Sequence, residues 1–266
     1  MKTRPVSQEV SDYCATVARM RPKSAVVLYG SQARGDSTKA SDVDILLIGD
    51  KAFSRERDQN VCISRYPADL LSRFASDGAL FALHLFEEGI VYSDPYGHFE
   101  KARAKYQAPV SYLGLRAELS RLANVLDVDV DQYQKSPAWL NRVGLYVLRS
   151  ALFAKFAENG TPTFSMRGIA QALGDEGLLE IYARKYKGRT SFAEFMELKS
   201  YVENILDSCI VNESRSLVDY ILEQSKESKL VSAFGSRLRE LSDHPDLPIL
   251  MADYALGNTS VKRCSS

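Results

Sequence analysis

The chain has 266 residues, 45% hydrophobic, 10% aromatic and 26% charged. It can therefore fold around a sizeable core and lies well away from the polar extreme of disordered chains. Thirty-four basic residues balance thirty-four acidic ones, which excludes a global electrostatic footprint for nucleic acid or anionic lipid and leaves any such contact local. The four cysteines, Cys14, Cys62, Cys209 and Cys264, show neither a CxxC pair nor a histidine at zinc spacing, so neither a disulfide framework nor a structural zinc is indicated.

The N-terminus MKTRPVSQEV has no apolar core of a signal peptide. Residues 6–18 carry Val6, Val10, Tyr13, Cys14 and Val17 on one helical stripe. Residues 24–29 (SAVVLY), closed by Gly30, suit a buried strand, and residues 42–48 (DVDILLI), ending at Gly49, a second. The turn-rich GSQARGDSTKAS between them leaves room for one helical turn after Ser31. A third strand is expected over 60–66, helices over 68–75 and 79–89, and a last short strand over 90–92.

From residue 111 the period changes to that of long helices, expected over 112–126, 136–158, 165–173, 176–187, 191–207, 213–226 and 229–242. Ser136 is the expected N-cap of the 136–158 helix, Pro137 its first residue and Asn159-Gly160 its stop. The most apolar long stretch, 138–157, contains Arg142, Arg149 and Lys155, unlike a membrane span. The expectation is a cytoplasmic chain with no membrane partner. It has an α/β domain with a mixed sheet over 1–108, an all-helical bundle over 109–243 and a C-terminal arm or tail over 244–266.

The informative stretch is Gly30-Ser31, ten further residues, then Asp42-Val43-Asp44. On a strand, residues i and i+2 share a face, so the two aspartates present paired carboxylates that call for a cation. A hard dication such as Mg²⁺ is commonly shared between one or two carboxylates and substrate phosphates. Gly30 allows close backbone approach to a phosphate, and the following N–H groups with the Ser31 hydroxyl can donate to its oxygens. GSQARG lacks the G-x-G-x-x-G spacing, and Asp36 stands where a P-loop needs lysine.

GSQARGDSTKASDVD resembles the signature of the DNA polymerase β-like nucleotidyltransferases, particularly the minimal bacterial branch, over residues 24–98. The resemblance implies that Gly30 and Ser31 contact the β/γ-phosphates of a nucleoside triphosphate, that Asp42 and Asp44 are catalytic and bind Mg²⁺, and that Ser41 shapes the phosphate loop. Arg34 reads equally as a phosphate contact or a surface salt bridge. Full members carry a third carboxylate on the next central strand, where this chain has Cys62 or Ser64. Either the chemistry then runs on two aspartates, or Asp69, Glu87 or Glu88 swings in, against the plain surface roles that these three otherwise read as, or the domain is a weakened nucleotide binder. The implied reaction moves a nucleoside monophosphate from an NTP (ATP among them) or dNTP to an acceptor hydroxyl, releasing pyrophosphate. The acceptor stays open between an aminoglycoside-type small molecule, a partner protein or the chain itself, and a growing oligonucleotide, in a bacterial antiviral-defence or toxin–antitoxin setting. A catalytically weakened, nucleotide-binding regulator of a partner protein is the alternative.

Three lesser signals remain. Arg149 and Lys155 are candidate triphosphate contacts or structural ion pairs. YARKYKGR over 182–189 is a nucleic-acid contact or a solvated helix end. Tyr254 is a candidate acceptor in the arm, against simple docking of that arm. His84 in an apolar helix and His98 in a loop show no partner that makes either a ligand or a base.

Overall fold

A computed structural model describes residues 6–38, 41–49, 53–187, 190–236 and 238. Tyr254 and the expected arm, with Gly188 and Arg189 of the basic segment, lie outside the described residues. The chain divides between Pro109 and Val110 into two compact units.

The N-terminal unit is a five-stranded mixed sheet of β1 (Ala25–Tyr29), β2 (Val43–Ile48), β3 (Ser54–Asp58), β4 (Val61–Tyr66) and β5 (Ile90–Ser93). The spatial order is β3-β4-β2-β1-β5. β2 runs parallel to β4, and every other neighbouring pair is antiparallel. β1 is buried at all five positions, as a central strand covered on both faces must be. α1 (Gln8–Met20) starts at Ser7, whose side chain accepts from the Val10 amide, and packs Cys14 and Val17 against Val26, Leu28, Val43, Ile45 and Leu47. The period of two in those strands sends Tyr29, Asp44 and Leu46 to the other face.

That other face carries α3 (Ala68–Ser76) and α4 (Leu80–Glu88). Tyr29 meets Phe81 edge-on at 5.9 Å between centroids, and Tyr66 meets Phe74 at 6.2 Å. Two elements of this unit have no counterpart among those expected, as the helix Val130–Lys135 has none in the helical unit. β3, with the sequence SRERD, lacks apolar alternation and forms as the charged edge of a hairpin with β4, a common way of blunting an edge strand. α5 (His98–Ala104) is nucleated by the Asp94 carboxylate, which accepts from the amides of His98, Phe99 and Glu100. His98 is therefore a helix-start residue rather than a loop residue.

Among the described residues, the regular elements of the C-terminal unit are helices: α6 (Leu113–Ala123), α7 (Val130–Lys135), α8 (Pro137–Glu158), α9 (Met166–Leu173), α10 (Gly177–Ala183), α11 (Phe192–Leu206), α12 (Leu217–Gln224) and α13 (Lys229–Gly235). α8 is the buried axis, with fourteen buried residues from Trp139 to Ala154. Gly144 lets α11 approach, since a Cβ there would lie 2.8 Å from Leu198 Cδ2. α7 and α11 open with capping boxes, Asp129/Gln132 and Ser191/Glu194. Ser136, by contrast, makes no cap hydrogen bond. α7 ends at that same residue, so its backbone is set by the helix–helix turn instead of by capping.

Candidate active site

β1 ends at Gly30, which has φ +76° and turns the chain into the single-turn helix α2 (Ser31–Arg34). Tyr29, just before it, pairs with Asp44 across the β1–β2 ladder. A Cβ on Gly30 would stand 3.0 Å from Asp44 Oδ2. Two constraints therefore coincide: a positive φ that L side chains rarely adopt, and a carboxylate against the backbone. Val43 belongs to the core beneath α1, so Asp42 and Asp44 on either side of it face away together. The Asp44 charge adds to burial in pushing the Tyr29 phenol strongly upward.

The same register row continues from Asp44 to Cys62 on β4 and to Arg57 on β3. Arg57 Nη2 donates to Asp42 Oδ1 at 2.8 Å. Arg55, two residues earlier on the same face, donates through Nε to Cys62 Sγ at 2.6 Å. Burial opposes the Arg55 charge, but Tyr29, Cys62 and Asp44 outweigh it and hold the guanidinium protonated. Cys62, 1% exposed, thus stands beside Asp44 with an arginine over its sulfur. A carboxylate placed at position 62 would meet Arg55 before it met a metal.

Arg34 lies in a mostly buried network. Its Nε pairs with Asp36 at 3.2 Å and its Nη1 with Glu88 at 2.7 Å. His84 Nε2 lies 2.9 Å from the same Glu88 oxygen, so His84 does have charged neighbours. Burial opposes the Arg34 charge, and Glu88 and Asp36 more than restore it. Ser41 closes the loop, its hydroxyl accepting from the Thr38 amide at 2.9 Å. Of the substitute carboxylates, Glu88 is engaged by Arg34 and His84, Asp69 is an exposed residue 3.8 Å from Arg73, and Glu87 is exposed.

In the helical unit, Arg149 on α8 and Lys185 just after α10 converge on the Tyr182 hydroxyl, at 3.3 and 3.5 Å. Lys185 also sits 4.5 Å over the Tyr182 ring. Burial raises the Tyr182 pKa, but the two cations outweigh it and the phenol is shifted down. Lys155 is exposed on α8.

The donor set at Asp42 and Asp44 consists of hard oxygens, the type Mg²⁺ takes, whereas a thiol such as Cys62 is a soft ligand. The guanidinium of Arg57 on Asp42 occupies a cation's position, so these residues fit one Mg²⁺ ion. No group of three or more His, Cys, Asp or Glu side chains suited to a metal occurs among the described residues.

Sequence reasoning missed Arg55, Arg57 and the Glu88–His84 pair. The first two sit on the strand without an apolar pattern. A basic residue at every second position of SRERD was the available signal.

Residues 13–105 match the family model described as a nucleotidyltransferase domain. No curated protein matches the chain. Among solved structures, a nucleotidyltransferase-like protein from Exiguobacterium sibiricum 255-15 aligns over 89% of this chain and 80% of that chain, at 14% identity and a TM-score of 0.27. A likeness that loose carries no argument. Among the described residues no helix is long and apolar enough to cross a membrane.

Proposed function

We propose, from the match of residues 13–105 to the family model of a nucleotidyltransferase domain, that the protein transfers a nucleoside monophosphate from an NTP or dNTP to an acceptor hydroxyl in a Mg²⁺-dependent reaction. The observation that carries this reading is the approach of the Gly30 turn to the Asp44 carboxylate, with Asp42 on the same face. Phosphate and cation would then meet at one spot. Gly30 and Ser31 would receive the phosphates through backbone N–H groups and the Ser31 hydroxyl. Asp42 and Asp44 would hold the ion, which when bound neutralises charge on the phosphate oxygens. Arg34, held by Asp36 and Glu88, acts by fixing the loop that Ser41 closes. In-line placement of the acceptor hydroxyl supplies much of the rate through orientation.

The acceptors that suit this reading are a protein tyrosine, including the chain's own, and a growing oligonucleotide, in a bacterial defence or toxin–antitoxin setting. Within the helical unit, Arg149 with Tyr182 and Lys185 offers phosphate-binding chemistry. A second reading, a nucleotide-binding regulator with little turnover, is favoured by the thiol and the arginine beside Asp44 where a carboxylate would complete the set. Incubation with each α-labelled NTP and dNTP and Mg²⁺, followed for pyrophosphate, labelled protein and labelled oligomers, separates the two. Pyrophosphate release that disappears in Asp44→Asn supports transfer. Nucleotide binding by calorimetry without any pyrophosphate supports the regulator.

A further inference from the structure

β3 and β2 are separated by β4, so at ~4.8 Å per strand their backbones lie about 10 Å apart. Only a long side chain crosses that gap, and Arg57 does so, reaching Asp42 at 2.8 Å in a pair whose side chains are 25% and 18% exposed. Cys62 is directly opposite Arg57 in the register, and Asp42 lies two residues before Asp44, the partner of Cys62 on the other side. Arg57 Nε also donates to the Gln59 carbonyl at 3.2 Å, so the side chain runs along the β3–β4 turn toward the start of β2. The thiol of Cys62 is engaged separately by Arg55.

We propose that Arg57 is the resident counter-cation of Asp42, competing with the divalent ion for that carboxylate and yielding to it when the ion arrives on nucleotide phosphates. This rests on the nucleotidyl-transfer reading of the site and adds a regulation to it. The exchange conserves charge pairing. Metal alone must displace Arg57 from Asp42 and offers the guanidinium no anion in exchange, so the strength of this partly exposed pair is subtracted from the affinity for the ion. Metal carried by a triphosphate brings anionic oxygens that give the displaced guanidinium a new partner, and a planar fork suits phosphate well. The domain should therefore bind free divalent ions poorly and nucleotide-borne ones well.

The test is titration with Mn²⁺ alone, read by the electron paramagnetic resonance signal of the free ion, on the full chain. Arg57 lies on an exposed edge strand, and thermal melts check that the variants fold. Arg57→Gln is expected to bind Mn²⁺ at least tenfold more tightly than wild type, Arg57→Lys to stay within threefold of wild type, and Asp42→Asn added to Arg57→Gln to abolish the gain. If Arg57→Gln leaves Mn²⁺ affinity within twofold of wild type or weakens it, the competition is overturned. So is it if the gain survives Asp42→Asn. Because no nucleotide is present, these outcomes are independent of turnover. A wild type that binds nucleotide but releases no pyrophosphate removes the transfer reading and leaves the Arg57 result standing.

Discussion

The two units use charge in opposite ways. In the helical unit, Glu118 is 8% exposed and closed in by its own neighbours: Ser228 Oγ donates to it at 2.9 Å, the Leu230 amide at 3.4 Å and Arg121 at 2.9 Å. In the sheet unit, Asp42 and Asp44 sit at the edge of a glycine turn, with the long-reaching guanidinium of Arg57 on Asp42. An enclosed and satisfied charge holds helices together, whereas a charge whose partner can be exchanged is available for chemistry. Four measurements would break or sharpen this contrast.

The largest effect is expected in the sheet unit. Asp42→Asn combined with Asp44→Asn should lower NTP turnover by about a thousandfold or more, since both oxygens holding the cation are weakened. Stability should fall by only about 1 kcal/mol, through loss of the partly exposed Arg57 pair. Undiminished turnover in the folded double variant, measured by pyrophosphate release, would break the assignment.

Glu118→Ala should show the reverse pattern in the helical unit. Removing the acceptor strands Ser228 and the Leu230 amide in a buried place, at a cost of about 3 kcal/mol. Chemical denaturation measures it. A cost under 1 kcal/mol would mean that this charge is not structural.

Gly30→Ala and Gly160→Ala both fall at a positive φ, +76° and +71°, but Gly30 also has ψ −156° and an Asp44 oxygen 3.0 Å from its Cβ position, whereas nothing lies within 4 Å of a Cβ at Gly160. Gly160→Ala should lose about 1 kcal/mol to backbone strain, and Gly30→Ala about 2–3 kcal/mol, because its φ/ψ pair lies in a region essentially restricted to glycine. Gly30→Ala alone should also lose about 100-fold in turnover, by pushing Asp44 aside. Equal activities in the two variants would show that the close approach to Asp44 does not matter.

The smallest effect is a pH dependence. Glu194 accepts from Lys187 and from Ser191, and these bonds bring its carboxyl down to about 2 from an ordinary 4.5. A depressed carboxyl pKa means that the unfolded chain takes up the proton first as pH falls. The capping box of α11 therefore contributes fully above about 4.5 and is lost as pH drops through about 2. Glu194→Ala should lower the melting temperature by a few degrees at pH 7 and by progressively less below pH 4. A difference constant from pH 7 to pH 3 would assign the effect to something other than this charge.

What could be read without coordinates was whatever local pattern dictates. The apolar runs 24–29 and 42–48, closed by glycines, are β1 and β2, and the dense apolar stretch of 136–158 is the buried helix α8. Gly30, Ser31, Asp42 and Asp44 were legible because a tight turn and a same-face carboxylate pair are short-range features. Tertiary structure alone decided the rest. β3 is a strand because β4 pairs with it, not because SRERD favours one. That pairing carries Arg57 across β4 to Asp42 and Arg55 to Cys62. Glu88, four residues beyond His84, becomes a partner of Arg34 only when α4 packs beside the α2 turn. Periodicity reports which face a residue occupies, but the identity of the residue opposite it depends on strand order and register, and these are set by contacts far apart in the chain.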